Sequence, residues 1–395
     1  MLTTHTTAHA HGLDGRLVEP DWPPLSLHEV QGVLHHWPQI EEPFEIVTSS
    51  PRPFSAASVI KTGGERVFLK RHHPSVRDVA GLREEHRFLQ HLRAHGVAVP
   101  EVLADGEGIT AIEEGKWTYE AHSVPPGIDL YGDALSWTPF RSVVHAHSAG
   151  AALARLHCAS AGFDAPRRPP RPLVAGFTIF AADDPSVEIS RFLSLRPALH
   201  GNAQVQADAC EALELLAPFH SELHPLMPHL PALWTHNDLH ASNLFWSDPG
   251  NDSHATAIID FGLSDRTNAV HDLAHAIERN IVEWLALVGD PEAENIPVHF
   301  DHLEAMLAGY ESVRLLSDVE WRGLAPMTAL CHAEFALSEA DYFLGILHST
   351  EKAVMAGNGW LVGHARWFHT AVGSRLLSWL REYADKHRAA GLGPC

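Results

Sequence analysis

The reading turns on Trp234-Thr235-His236-Asn237-Asp238-Leu239-His240-Ala241-Ser242-Asn243-Leu244-Phe245-Trp246 and, shortly after it, Ile258-Ile259-Asp260-Phe261-Gly262. An Asp near the start of a loop can accept a proton from an attacking hydroxyl or orient it. An Asn five residues later can return to a cation through its carbonyl oxygen. Asp260 closes an Ala257-Ile258-Ile259 strand, where a carboxylate can bridge a metal to phosphate. Asn243 to Trp246, a turn, and Thr256 to Ile259 read as a hairpin, which would bring Asn243 beside Asp260. Taken singly, these residues would make ordinary loop turns and strand ends. Together they are the set that phosphoryl transfer needs: Asp238 as base or hydroxyl-positioning group, and Asn243 with Asp260 holding Mg²⁺.

Working outward, Phe44-Val47, Ala57-Ile60 and Arg66-Lys70 read as strands, with Gly63-Gly64 as the turn between the last two. From about Val76 to His95 the pattern becomes helical. Leu82, Leu89 and Leu92 share one face, and Glu85 falls within it. A carboxylate on a buried face wants a cationic partner, and Lys70 is the natural candidate. Pro100-Leu103, Thr110-Ile112 and Trp117-Ala121 complete a five-stranded sheet. Val124-Pro-Pro-Gly127 then breaks the pattern, and helical periodicity dominates to the end. Helices are expected at Arg141–Ala159 and near 186–197, 203–224, 267–288, 299–316, 320–348 and 359–388. Pro166-Arg-Arg-Pro-Pro-Arg-Pro172 reads as a stiff loop.

The 395 residues, 45% apolar and 19% charged, can supply more than one core. Lys and Arg number 28 against 49 Asp and Glu, a formal charge of −21. That balance lacks the basic stripe of a nucleic-acid binder and leans towards an amine-bearing small molecule. Four scattered cysteines predict neither a zinc framework nor disulfides. No secretory signal pattern and no apolar run of membrane-spanning length are visible, so a cytoplasmic protein without a membrane partner is expected. The His-bearing start, with His5, His9 and His11, reads as a disordered tail.

The motifs His236-Asn-Asp238-x-x-x-x-Asn243 and Asp260-Phe261-Gly262 resemble those of the aminoglycoside phosphotransferase and choline kinase family. The resemblance extends to Lys70, to Glu85 in Leu82-x-x-Glu85-His-Arg-Phe-Leu89, to Leu153-Ala-Arg-Leu-His157 and to His271-Asp272-Leu-Ala274, covering roughly residues 40 to 345. It implies a two-lobed, protein-kinase-like α+β fold. After a tail at 1–24 would come a small antiparallel-sheet lobe at 25–122, then a mainly helical lobe at 123–395. It also implies transfer of the ATP γ-phosphoryl group to a hydroxyl of a small acceptor such as an amino alcohol, homoserine, an aminoglycoside or a sugar. Lys70 would hold phosphate, Glu85 would orient Lys70, and Asp272 would support the catalytic loop.

Two departures stand out. Asn237 replaces a glycine between His and Asp, and Asn tolerates left-handed backbone. The loop after the first strand, Ser49-Ser-Pro-Arg52-Pro-Phe-Ser55, has no glycine, so Ser50 and Ser55 are the candidate phosphate contacts. The nucleotide base is expected near Glu120 and His122, with ATP favoured and GTP not excluded. Glu334 and Asp341, on an apolar helix, are candidate acceptor contacts; a structural ion pair is the alternative. Glu278 and Glu283 read as solvated edge residues. A protein Ser/Thr kinase of the same fold and a non-catalytic nucleotide-binding scaffold are the rival functions.

Overall fold

A computed structural model describes residues 10–11, 16–288 and 295–391. Alternating apolar residues build the small lobe. In strand Arg66–His72, Val67 and Leu69 point into the core while Phe68 and Lys70 face the other way. The antiparallel sheet runs in the order Glu45–Ser49, Ala56–Lys61, Arg66–His72, Trp117–Ser123, Ala111–Glu114. Pro100–Leu103, expected as a strand, makes only an isolated bridge from Val102 to His122. Helix Leu27–Leu34 starts at a capping box between Ser26 and Glu29 and closes this core with Val30, Val33 and Leu34.

Helix Val79–Ala94 is capped by Asp78, whose carboxylate accepts the Gly81 N–H at 2.7 Å. Its Phe88, Leu89 and Leu92 join the core of the large lobe rather than the core under the sheet. The helix thus ties the two lobes together and carries Glu85 to their border.

The large lobe is helical around two short two-stranded sheets. Helices Val143–Ser160 and Phe300–Glu311 approach so closely that a Cβ on Gly150 would lie 2.0 Å from the Met306 carbonyl oxygen, and one on Gly309 1.9 Å from that of His147. Only glycine permits that crossing. The helix expected over 267–288 ends at Ile281, because Val282 turns extended and bridges Val298. The one expected over 320–348 is two, Asp318–Leu330 and His332–Gly345, abutting at Cys331. The last expected helix, over 359–388, is helical but broken at 368–370: a wide-turned helix Met355–Val362 runs into helix Gly363–Trp367, and helix Ala371–Gly391 follows.

The described part of the expected tail is anchored. Asp21 accepts hydrogen bonds from Tyr342 (3.0 Å) and Lys352 (2.5 Å) on the large lobe. Trp22 stacks on His73 and meets Trp117 edge-on in the small lobe. His5, His9 and the His11 side chain lie outside the described residues. No helix among the described residues is long and apolar enough to cross a membrane.

Candidate active site

The expected hairpin is present. Leu244–Trp246 pairs with Ala255–Ile258, and the Ile259 N–H donates to the Asn243 carbonyl at 2.9 Å, which sets Asn243 beside Asp260. A second pair, Ala232–Thr235 with Asp265–Asn268, frames the catalytic loop from the other side. Between them the backbone is held by Asp272, whose carboxylate accepts the N–H groups of His236 (2.8 Å) and Asn237 (2.7 Å) and meets His157 at 2.9 Å. Burial would raise the Asp272 carboxyl, but these hydrogen bonds hold it below its ordinary value. Asn237 takes left-handed backbone, φ 62°, and its side chain accepts from Thr235 and donates to the Ala175 carbonyl. His236 is fully buried; its ring meets the Ile259 carbonyl at 2.9 Å and packs on Phe261.

Asp238, Asn243, Asp260 and Lys70 line one cavity between the lobes. The Asn243 amide N–H donates to the Asp238 carbonyl at 2.9 Å, so its Oδ1 is the atom left for a cation. Asp260 also has positive φ, 60°, and its Oδ1 lies 3.0 Å from Lys70 Nζ. Burial would lower the Lys70 ammonium, but Asp260, Glu120 and Glu85 raise it above its ordinary value. Burial likewise works against Asp260, but Lys70 holds its carboxyl well below the usual range. Asp238 Oδ1 is 3.3 Å from Arg279 Nε. Burial pushes Asp238 up to about 6 despite Arg279.

Glu85 does not bond Lys70. Its carboxylate is 3.4 Å from Arg168, a fully buried guanidinium from the arginine-rich loop. Arg168 also donates to the Gly262 carbonyl at 3.0 Å, which Arg77 shares. The loop read as a stiff connection therefore supplies the cation that Glu85 requires. Sequence gives one hint of it, three arginines set between prolines.

The glycine-free loop reaches across the cleft. Arg52 donates to the Ala134 carbonyl at 2.8 Å, to Ser136 at 3.2 Å and to Ser242 of the catalytic loop. Ser55 lines the cavity, whereas the Ser50 hydroxyl accepts the Arg52 N–H at 3.3 Å instead of facing it. Glu120 and His122 do not line the cavity. Their strand is central in the sheet, so its backbone serves its neighbours. The Glu120 carboxylate accepts from His72 (2.9 Å), His86 (2.6 Å) and His122 (2.8 Å).

Glu334 and Asp341 also lie away from this cavity. Glu334 accepts the backbone N–H groups of Thr178 and Ile179, and Asp341 faces Arg196 at 3.7 Å. The cavity wall is the neighbouring face of the same helix, where Phe335 and Glu339 stand one turn apart. Burial pushes Glu339 up to about 8. Glu278, expected at a solvated edge, is buried (1% exposed), and burial pushes it up to about 7. Glu283 does lie nearer solvent, paired with His299 at 2.7 Å. Trp137 and Phe335 flank Arg279, their ring centroids 5.1 and 4.9 Å from its guanidinium carbon.

Comparison with known proteins gives the family and the fold. Residues 51–316 match the model of the phosphotransferase enzyme family. Homoserine kinase of Rhodospirillum rubrum is 27% identical over 237 residues, which span 60% of this chain and 61% of that protein's length. An uncharacterised protein of Deinococcus radiodurans is 27% identical over 300 residues, 75% of each chain. Among solved structures, a microcompartment-associated aminopropanol kinase superposes with a TM-score of 0.57 at 17% identity, covering 90% of this chain and 99% of that one. A spectinomycin phosphotransferase in complex with ADP and spectinomycin gives 0.51 at 10% identity, covering 91% and 99%. These structures share the two-lobed kinase-like fold seen here. The chain belongs to the phosphotransferase enzyme family.

Proposed function

We propose that the protein transfers the γ-phosphoryl group of ATP to a hydroxyl of a small, amine-bearing acceptor, with Mg²⁺ as cofactor. The observation that carries this is the convergence of Asp238, Asn243, Asp260 and Lys70 on one cavity. Asn243 Oδ1 and the Asp260 carboxylate are hard oxygen donors and fit Mg²⁺. When bound, the ion would neutralise phosphate charge. Lys70 would add a second positive charge at the phosphates. Asp238 would orient the acceptor hydroxyl and take up its proton, held in place by Arg279. Positioning and charge stabilisation would supply most of the acceleration.

The amine preference rests on Glu339. It is a cavity-lining carboxylate whose burial opposes ionisation, and an ammonium would relieve that cost. The likeness to homoserine kinase and to an aminopropanol kinase points the same way.

The test supplies Mg²⁺ and γ-labelled ATP with homoserine, aminopropanol, spectinomycin and a metabolite extract. Wild type should yield a labelled small product that Asp238→Asn does not. Glu339→Gln should raise the acceptor KM while leaving the nucleotide KM in place. Label appearing only on protein would overturn the small-molecule reading.

A further inference from the structure

Two buried clusters of histidine and glutamate lie among the described residues, and they differ in one respect that decides their roles. In the first, each Glu120 oxygen meets an imidazole nitrogen at 2.6–2.9 Å, and the far nitrogen of His86 meets Thr110 at 2.8 Å. Its polar atoms are satisfied within the protein. In the second, Glu278, His332 and His364 are 1–4% exposed. Both carboxylate oxygens and all four ring nitrogens there lack a hydrogen-bond partner. The Trp137 indole N–H approaches Glu278 without reaching hydrogen-bond geometry. Leaving one such buried atom unpaired costs about 1–3 kcal/mol, and one shared partner bound by an atom of each residue would relieve three of the six.

The spacing identifies that partner. Glu278 Oε1 lies 3.4 Å from His364 Nδ1 and 3.7 Å from His332 Nδ1, and one ligand atom from each residue falls within 4.8 Å of the other two. Ligands held tetrahedrally at 2.0–2.1 Å from a zinc ion stand about 3.3–3.5 Å apart. Two imidazoles favour a transition metal over Mg²⁺ or Ca²⁺. His364 is fixed by stacking on Trp284 at 3.7 Å, and the Trp284 indole N–H donates to the Glu278 carbonyl at 3.0 Å.

We infer that Glu278, His332 and His364 form a site for one divalent transition metal of the zinc class, a layer beneath Asp238. The charges around it are Arg279, Glu339 and Asp238. Arg279 faces the other Glu278 oxygen at 3.7 Å and Asp238 at 3.3 Å, so two further carboxylates balance its charge. The metal would take Glu278 Oε1, leave Oε2 to Arg279, and through Arg279 steady Asp238. It is separate from the Mg²⁺ proposed at Asn243 and Asp260, and stands or falls without it.

The untagged full chain, expressed with zinc or cobalt and freed of loose metal, is assayed for metal per chain by mass spectrometry. About one equivalent is expected. The same is expected of the variant carrying His5→Ala, His9→Ala and His11→Ala together, and of His86→Ala. Glu278→Gln and His364→Ala should lower affinity at least ~10-fold. X-ray absorption on the wild-type zinc form should show two imidazole ligands and oxygen, a readout that needs no variant to fold. Substoichiometric metal in wild type, full retention in both Glu278→Gln and His364→Ala, or a spectrum without imidazole would overturn the site.

Discussion

Lys70 Nζ and Asp260 Oδ1 lie 3.0 Å apart across the cleft, so the small lobe's sheet is bonded directly to the large-lobe loop that begins at Asp260. Mg²⁺ and the nucleotide phosphates would therefore draw on a preset pair. We expect Asp260→Ala to weaken Mg²⁺–nucleotide binding at least ~10-fold while metal-free nucleotide binding changes little. Calorimetric titration with and without Mg²⁺ measures both, and equal losses in the two would refute the metal role.

Asp238→Asn should cut turnover at least ~10²-fold with nucleotide affinity retained. Asn keeps the shape and a hydrogen-bonding oxygen opposite Arg279 but cannot take a proton. Near-normal single-turnover rates in this variant would remove Asp238 from the chemistry.

Arg168→Ala should destabilise the fold by about 3–5 kcal/mol, because it strands the Glu85 carboxylate in a buried setting. Arg168→Ala with Glu85→Gln should recover part of the loss. Urea midpoints for the two singles and the double decide this. Additive losses would show that the 3.4 Å contact contributes nothing.

Asn237→Gly should be tolerated in backbone terms, since φ at this position is 62°. It forfeits the hydrogen bonds to Thr235 and the Ala175 carbonyl. Asn237→Val loses the same bonds and adds backbone strain of about 1–3 kcal/mol, so thermal melting should rank wild type, then Gly, then Val. A valine variant as stable as the glycine variant would contradict the backbone argument.

Asp272 gives a pH-dependent signature. Its folded-state carboxyl sits below its ordinary value, so its stabilisation is present above the unfolded value of about 3.9 and drains away as pH falls through the folded one. The stability gap between wild type and Asp272→Asn should hold from pH 8 to 5 and shrink below about pH 4. A gap that widens with acid would mean the carboxyl is not depressed.

Much of this was legible in the chain. The apolar segments Asn243–Trp246 and Thr256–Ile259 showed the hairpin that sets Asn243 beside Asp260, and Arg66–Lys70 was legible as the strand that carries Lys70. Contacts between segments far apart in sequence were not legible. Periodicity shows that Glu85 is buried, but not that Arg168 rather than Lys70 would reach it. On helix His332–Gly345, apolar residues surround every acidic position, so pattern alone could not tell the cavity-facing Glu339 from Glu334 and Asp341. Glu120 and His122 lie off the cavity for another reason: an interior strand commits its backbone to its neighbours.

The Gly262 carbonyl accepts from both Arg77 and Arg168, and Phe261 is wedged against Phe88 and His236. Swinging the segment after Asp260 outwards would uncover two guanidinium groups and an aromatic ring at once. Many signalling kinases are throttled by moving this segment. Here such a movement would have to break both arginine contacts to the Gly262 carbonyl and the packing of Phe261 in one step.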